Sequence, residues 1–146
     1  MSVAEILPNL WLGNIICSRN SKFILDNAIN VVVNCSKDIP FLTNKTKNYR
    51  IAVDDNLKQE EVSKFFDYLD KIIPIIHEHL MTNDNVLVHC YAGKQRSASI
   101  ISAYLMKFSK MSLKQSIECI KTKRLVAFTP EVNFLRALTK YELILN

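Results

Sequence analysis

Apolar positions recur along the chain at two different periods, and the switch between them marks out the elements. Ile29 to Cys35, INVVVNC, is short, continuous and β-branched, as expected for a strand buried on both faces. Tyr49 to Val53, YRIAV, alternates and predicts a second strand, and Val86 to Val88 predicts a third. Between the last two lies QEEVSKFFDYLDKIIPIIHEHL, with Val62, Phe65, Phe66, Leu69, Ile72, Ile73, Ile76 and Leu80 at helical spacing. This predicts one long amphipathic helix with a kink at Pro74. Three more helices follow: Ser97 to Phe108, one opened by a capping box at Ser112 and Gln115, and one opened by Thr129-Pro130. Strands alternating with helices predict an α/β fold whose mainly parallel central sheet is flanked by helices on both faces. In such sheets ligands bind beyond the carboxyl ends of the strands, where Cys90 falls.

Length and composition narrow this picture without redirecting it. With 146 residues, 49% of them hydrophobic, the chain can bury a core, and nothing in it has the composition of a linker, so one domain spanning 1–146 is expected. The opening MSVAEILPNLWLGN lacks the basic leader and apolar block of a signal peptide, and no run approaches the ~20 apolar residues of a membrane span. An intracellular protein, cytoplasmic or nuclear, is expected. Four irregularly spaced cysteines without a CxxC argue against a zinc site and against a secreted disulfide framework, so Cys17, Cys35 and Cys119 are assigned to packing. His77-Glu78-His79 lacks the i, i+4 histidine spacing of a metal-binding helix and is expected to be a solvated helix end. No metal or cofactor is expected. The net charge of +5 fits a lysine-rich surface as well as a face for an anionic partner, and decides nothing alone.

The candidate chemistry sits in HCYAGKQRS, His89 to Ser97, between the third strand and the next helix. A tight loop there turns successive N–H groups inward, and the helix adds its positive dipole end, which makes a cradle for an oxyanion. Arg96 can close the cradle with a planar fork that matches two phosphate oxygens. The same field favours a thiolate at Cys90, a nucleophile at the bottom of a phosphate-sized nest. Expulsion of an alkoxide or phenoxide then needs a proton from another loop, and Asp54 and Asp55 are the candidates.

The loop, with AYLM after it, resembles the signature of the dual-specificity branch of the cysteine-dependent protein tyrosine phosphatase superfamily. ILPNLWLGN resembles that branch's N-terminal strand pair, VVVNCS its next strand, IAVDDN its general-acid loop, and Pro130, Phe134 and Leu138 its last helix, so the likeness runs through nearly the whole chain. The resemblance implies a protein tyrosine phosphatase-like fold with Cys90 as nucleophile and Arg96 as phosphate clamp. The N–H groups of Tyr91, Ala92, Gly93, Lys94, Gln95 and Arg96 would form the cradle. Ser97 would bond the departing thiolate, His89 would order the loop from behind, and Asn34 would brace it. Alignment on IAV and on Asn56 favours Asp55 as the acid; the spacing to Val62, one residue longer than in the branch, keeps Asp54 open. Gln95 and Glu131 stand where the branch has serine and asparagine, which bears on specificity.

The implied activity is hydrolysis of phosphotyrosine and of phosphoserine or phosphothreonine in proteins through a cysteinyl-phosphate intermediate. The expected partners are a phosphorylated protein and a phosphate or sulfate ion in the site, with nucleic acid disfavoured. Lys94 and the basic surface leave open a phosphoinositide phosphatase or an RNA 5′-triphosphatase, and a phosphoprotein-binding module without turnover is a third alternative. Lys-, Asn- and Ile-rich, glycine-poor composition suggests an AT-rich genome, viral or protist.

Overall fold

In the computed structural model, which describes residues 2–146, the chain opens on a hairpin of β1 (Val3–Leu7) and β2 (Leu10–Gly13). Pro8 and Asn9 turn it, Asn9 at φ 72°, a left-handed conformation that asparagine tolerates. Two short helices follow, α1 (Ile15–Ser18) and α2 (Ser21–Asp26), which the apolar periodicity did not predict. Each is started by an asparagine whose side chain accepts a backbone N–H, Asn14 from Cys17 and Asn20 from Phe23. Such caps are visible in a sequence, but helices this short carry no period.

Then come β3 (Val31–Asn34), β4 (Lys47–Arg50), α3 (Gln59–Met81), β5 (Val86–His89), α4 (Arg96–Phe108), α5 (Leu113–Lys123) and α6 (Leu135–Leu145). The sheet order is β1-β2-β5-β3-β4, antiparallel only in the hairpin. This is the predicted α/β architecture. Alternation along the strands splits the core. Leu10, Leu12, Val31, Val33, Val86 and Val88 pack with residues of α3 to α6. Val32 and Leu87 face the other way, with Cys17, Phe23 and Ile24.

Three expectations shift. The strand predicted over Tyr49 to Val53 is Lys47–Arg50. Beyond it the Val53 N–H bonds the Ile51 carbonyl two residues back, so the chain turns off the sheet while Ile51 and Val53 stay buried. Alternation reported burial there, not pairing. The helix predicted from Thr129-Pro130 starts only at Leu135, because the buried Gln95 holds the intervening segment. Its amide donates to the carbonyls of Thr129 and Glu131, and its carbonyl oxygen accepts the Asn133 N–H. Nor is the end of α3 merely solvated. His77 stacks on Phe108 and pairs with the Tyr104 hydroxyl, and His79 bridges Tyr49 and Asp84. The helix runs through Pro74, and the capping box at Ser112 and Gln115 is present. Among the described residues, no helix is long and apolar enough to cross a membrane.

Candidate active site

Gly13, His89 and Asn34 lie level with one another across β2, β5 and β3, so the chain leaves the sheet at Cys90 from the carboxyl edge of three parallel strands. Cys90 is 2% exposed. Its Sγ accepts the Gly93 N–H at 3.2 Å and lies 3.1 Å from the Ser97 hydroxyl at the start of α4.

The loop's carbonyls are held from outside. Ile15 N–H donates to Tyr91 O and Phe128 N–H to Lys94 O, at 2.9 and 2.8 Å. Arg124 donates to Ala92 O from Nη2 and to Gly93 O from Nε, at 3.0 and 2.8 Å. A planar trans peptide points its C=O and N–H in opposite directions, so the N–H groups of Ala92, Gly93, Lys94 and Gln95 turn away from these partners. Those of Ala92, Lys94 and Gln95 donate to no protein group among the described residues. Gly93 adopts φ +67°, and a Cβ there would fall 2.6 Å from Gly13 O. Only glycine fits.

Arg96 lines a cleft of about 380 Å³ together with Ser36, Asp38, Ile39, Asp54, Asp55, Asn56 and Tyr91. Its Nη1 is tethered to Val53 O at 3.1 Å, and its buried Nε has no partner among the described residues. A donor so placed is costly unless an acceptor enters the cleft.

His89 projects to the opposite side of the sheet, with Nδ1 3.4 Å from the Cys90 carbonyl oxygen, so the ring N–H points to that oxygen. Burial pulls its pKa down from 6.5 to about 4, and the neutral ring is the resident form. Because the unfolded chain takes up this proton first, stability should rise with pH between about 4 and 6.5. Thermal melts across that window should show a shallower slope for His89→Asn than for the wild type. Equal slopes would remove His89 from the acid sensitivity of the fold. Burial also pushes Cys17 up to about 11 and Cys35 well above the ordinary thiol range, so both stay protonated, while Cys119 is half-buried.

Asn34 braces a neighbouring loop rather than the cradle. One residue before Cys35, it faces the other side of the sheet, where its amide donates to Ile39 O and its oxygen accepts from the Ser36 hydroxyl. Arg50 donates to Ser36 O and Ile39 O, so the two residues together set one wall of the cleft.

The two aspartates sit in different surroundings. Asp54 contacts Lys37 at 3.1 Å, and its N–H donates to Glu61, a buried carboxylate also held by Lys37 and Lys64. Those partners, the Asp54 N–H foremost, hold Glu61 down at about 2. Among the described residues Asp55 contacts no cation; the Asn133 amide donates to its Oδ1 at 2.9 Å. Asn133 and Arg124 had no sequence signal of their own. Each reaches the site from a segment outside the motif.

A buried thiol that accepts a loop N–H at the carboxyl edge of three parallel strands points to the class, and the comparisons give the family. Residues 10–144 match the family described as "Dual specificity phosphatase, catalytic domain", and the chain belongs to it. It is therefore of the dual specificity protein phosphatase type. It is 34% identical over 148 residues to a protein of Invertebrate iridescent virus 6 named as tyrosine phosphatase 123R, covering 100% of this chain and 96% of that one. It is 38% identical over 144 residues to human dual specificity protein phosphatase 16, covering 94% of this chain but only 20% of the human protein. Among solved structures, a variant of human DUSP28 superimposes with a TM-score of 0.88 at 25% identity, covering 99% of this chain and 97% of that one. A mouse protein described as a dual specificity phosphatase, complexed with zinc tungstate, gives 0.86 at 26% identity, covering 98% and 87%.

Proposed function

We propose that the chain hydrolyses phosphomonoesters of tyrosine and of serine or threonine in proteins through a cysteinyl-phosphate intermediate. The observation that carries this reading is the coincidence of the Cys90 thiol with unpaired donors: the N–H groups of Ala92, Lys94 and Gln95 and the buried Arg96 Nε. Together they match the oxygens of a tetrahedral oxyanion, and a relative crystallised with tungstate supports the same use of the site. Cys90 Sγ attacks phosphorus as the P–O bond to the leaving group breaks, and Asp55 gives that oxygen its proton. Water then attacks phosphorus, the S–P bond breaks, Asp55 takes the water's proton, and the Ser97 hydroxyl, 3.1 Å away, stabilises the departing thiolate. Detection of phosphate on the Cys90 peptide after acid quenching tests the intermediate; steady turnover with no phosphocysteine would overturn it.

Protein phosphoesters are favoured over polyphosphorylated lipids or RNA by the walls of the cleft. Asp38, Asp54 and Asp55 line it, whereas Lys94 does not. The Asp38 carboxylate repels a second phosphate, and Lys37 beside this wall is already engaged by Asp54 and Glu61. Lys94→Ala should change kcat/KM on a phosphotyrosine peptide by less than about threefold, an effect under ~1 kcal/mol. A wild-type preference for a phosphoinositide that Lys94→Ala abolishes would instead assign the lipid as substrate.

A further inference from the structure

We propose that Arg124 is a positioning residue for the phosphate cradle: one buried guanidinium orients two of the loop's amide donors. This rests on the catalytic reading above and adds to it a residue outside the signature motif. Arg124 follows α5 and is 5% exposed. Its Nε and Nη2 form parallel bonds to Gly93 O and Ala92 O, and its Nη1 bonds the Ser2 hydroxyl.

Successive carbonyls pointing the same way repel one another, and a loop that aims consecutive N–H groups inward must aim consecutive C=O groups outward. At the ends of the cradle backbone donors meet this need, Ile15 for Tyr91 and Phe128 for Lys94. At the centre, no backbone N–H among the described residues reaches Ala92 O or Gly93 O, and both oxygens fall to the fork of Arg124. Through peptide planarity, holding Ala92 O fixes the Gly93 N–H, which is the one seen on Cys90 Sγ; holding Gly93 O fixes the Lys94 N–H. The approach is tight enough to explain the glycine from a second side, since a Cβ on Gly93 would lie 2.7 Å from Arg124 Nη2. Lysine cannot reproduce this, because an ammonium lacks two donors in a fixed plane.

The test measures orthophosphate binding as protection of Cys90 from iodoacetamide, with KM and kcat on a phosphotyrosine peptide alongside. For folded Arg124→Gln, the half-protecting phosphate concentration should rise at least ~10-fold, with kcat falling as well. Arg124→Lys, which keeps the cation and one bond, should lie between and serves if the glutamine variant does not fold. Ser116→Ala is the control: it removes a buried hydroxyl bonded to Ser102, away from the loop, and should lower the melting temperature without touching protection. Unchanged protection in the Arg124 variants, with only a lower melting temperature, would make Arg124 merely structural. Failure of the catalytic reading would appear differently, as a wild-type Cys90 that phosphate does not protect.

Discussion

Cys90→Ser should abolish turnover, by at least ~10³-fold or roughly 4 kcal/mol of barrier, while leaving oxyanion binding in place. A serine hydroxyl is not ionised at neutral pH, and neither group next to residue 90 acts as its base: the His89 ring lies on the other side of the sheet, and Ser97 is itself a hydroxyl. The cradle should survive because its donors do not depend on sulfur. The carbonyls of Tyr91, Ala92, Gly93 and Lys94 are held by Ile15, Arg124 and Phe128, and Arg96 is tethered to Val53. The variant should therefore trap a phosphopeptide, measurable by calorimetry. More than a trace of activity in Cys90→Ser, or activity that needs an added divalent metal, would sink the covalent thiol mechanism.

Asp55→Asn should slow hydrolysis of an alkyl or phenyl phosphate by ~10³-fold, within the usual range for loss of a general acid, and spare an aryl phosphate with a good leaving group. The contrast with Asp54 is now structural. Asp54 has an oxygen taken by Lys37 and its N–H taken by Glu61, so it fastens its own loop to α3. Asp54→Asn should lower the melting temperature and leave the leaving-group dependence unchanged. If the sensitivity to leaving group followed Asp54 and not Asp55, the roles of the two would be exchanged. Asn133 extends the test: its bond to Asp55 joins that loop to the segment before α6, so Asn133→Ala should give a weaker form of the Asp55→Asn pattern.

Cys90, Arg96 and Ser97 were legible as a group because they are close in sequence and the turn between β5 and α4 brings them within one loop. Gln95 was legible only as a departure from the family pattern. Its buried side chain holds the segment from Thr129 to Asn133. A polar side chain's partners lie across 34 to 38 residues here, and no local pattern encodes them.

By itself the sequence determined the strands and helices whose periods are long enough to count, the alternation that makes the sheet parallel, and the motif that puts a thiol and an arginine in a strand-to-helix turn. These are local properties, set by backbone geometry and by which faces must be buried. The tertiary structure decided which aspartate pairs with Lys37, which wall Asn34 supports, where the last helix begins, and that Arg124 bonds the Ala92 and Gly93 carbonyls. Each of these depends on which distant group satisfies a buried donor or acceptor, and buried polar groups find partners wherever the packed chain brings them.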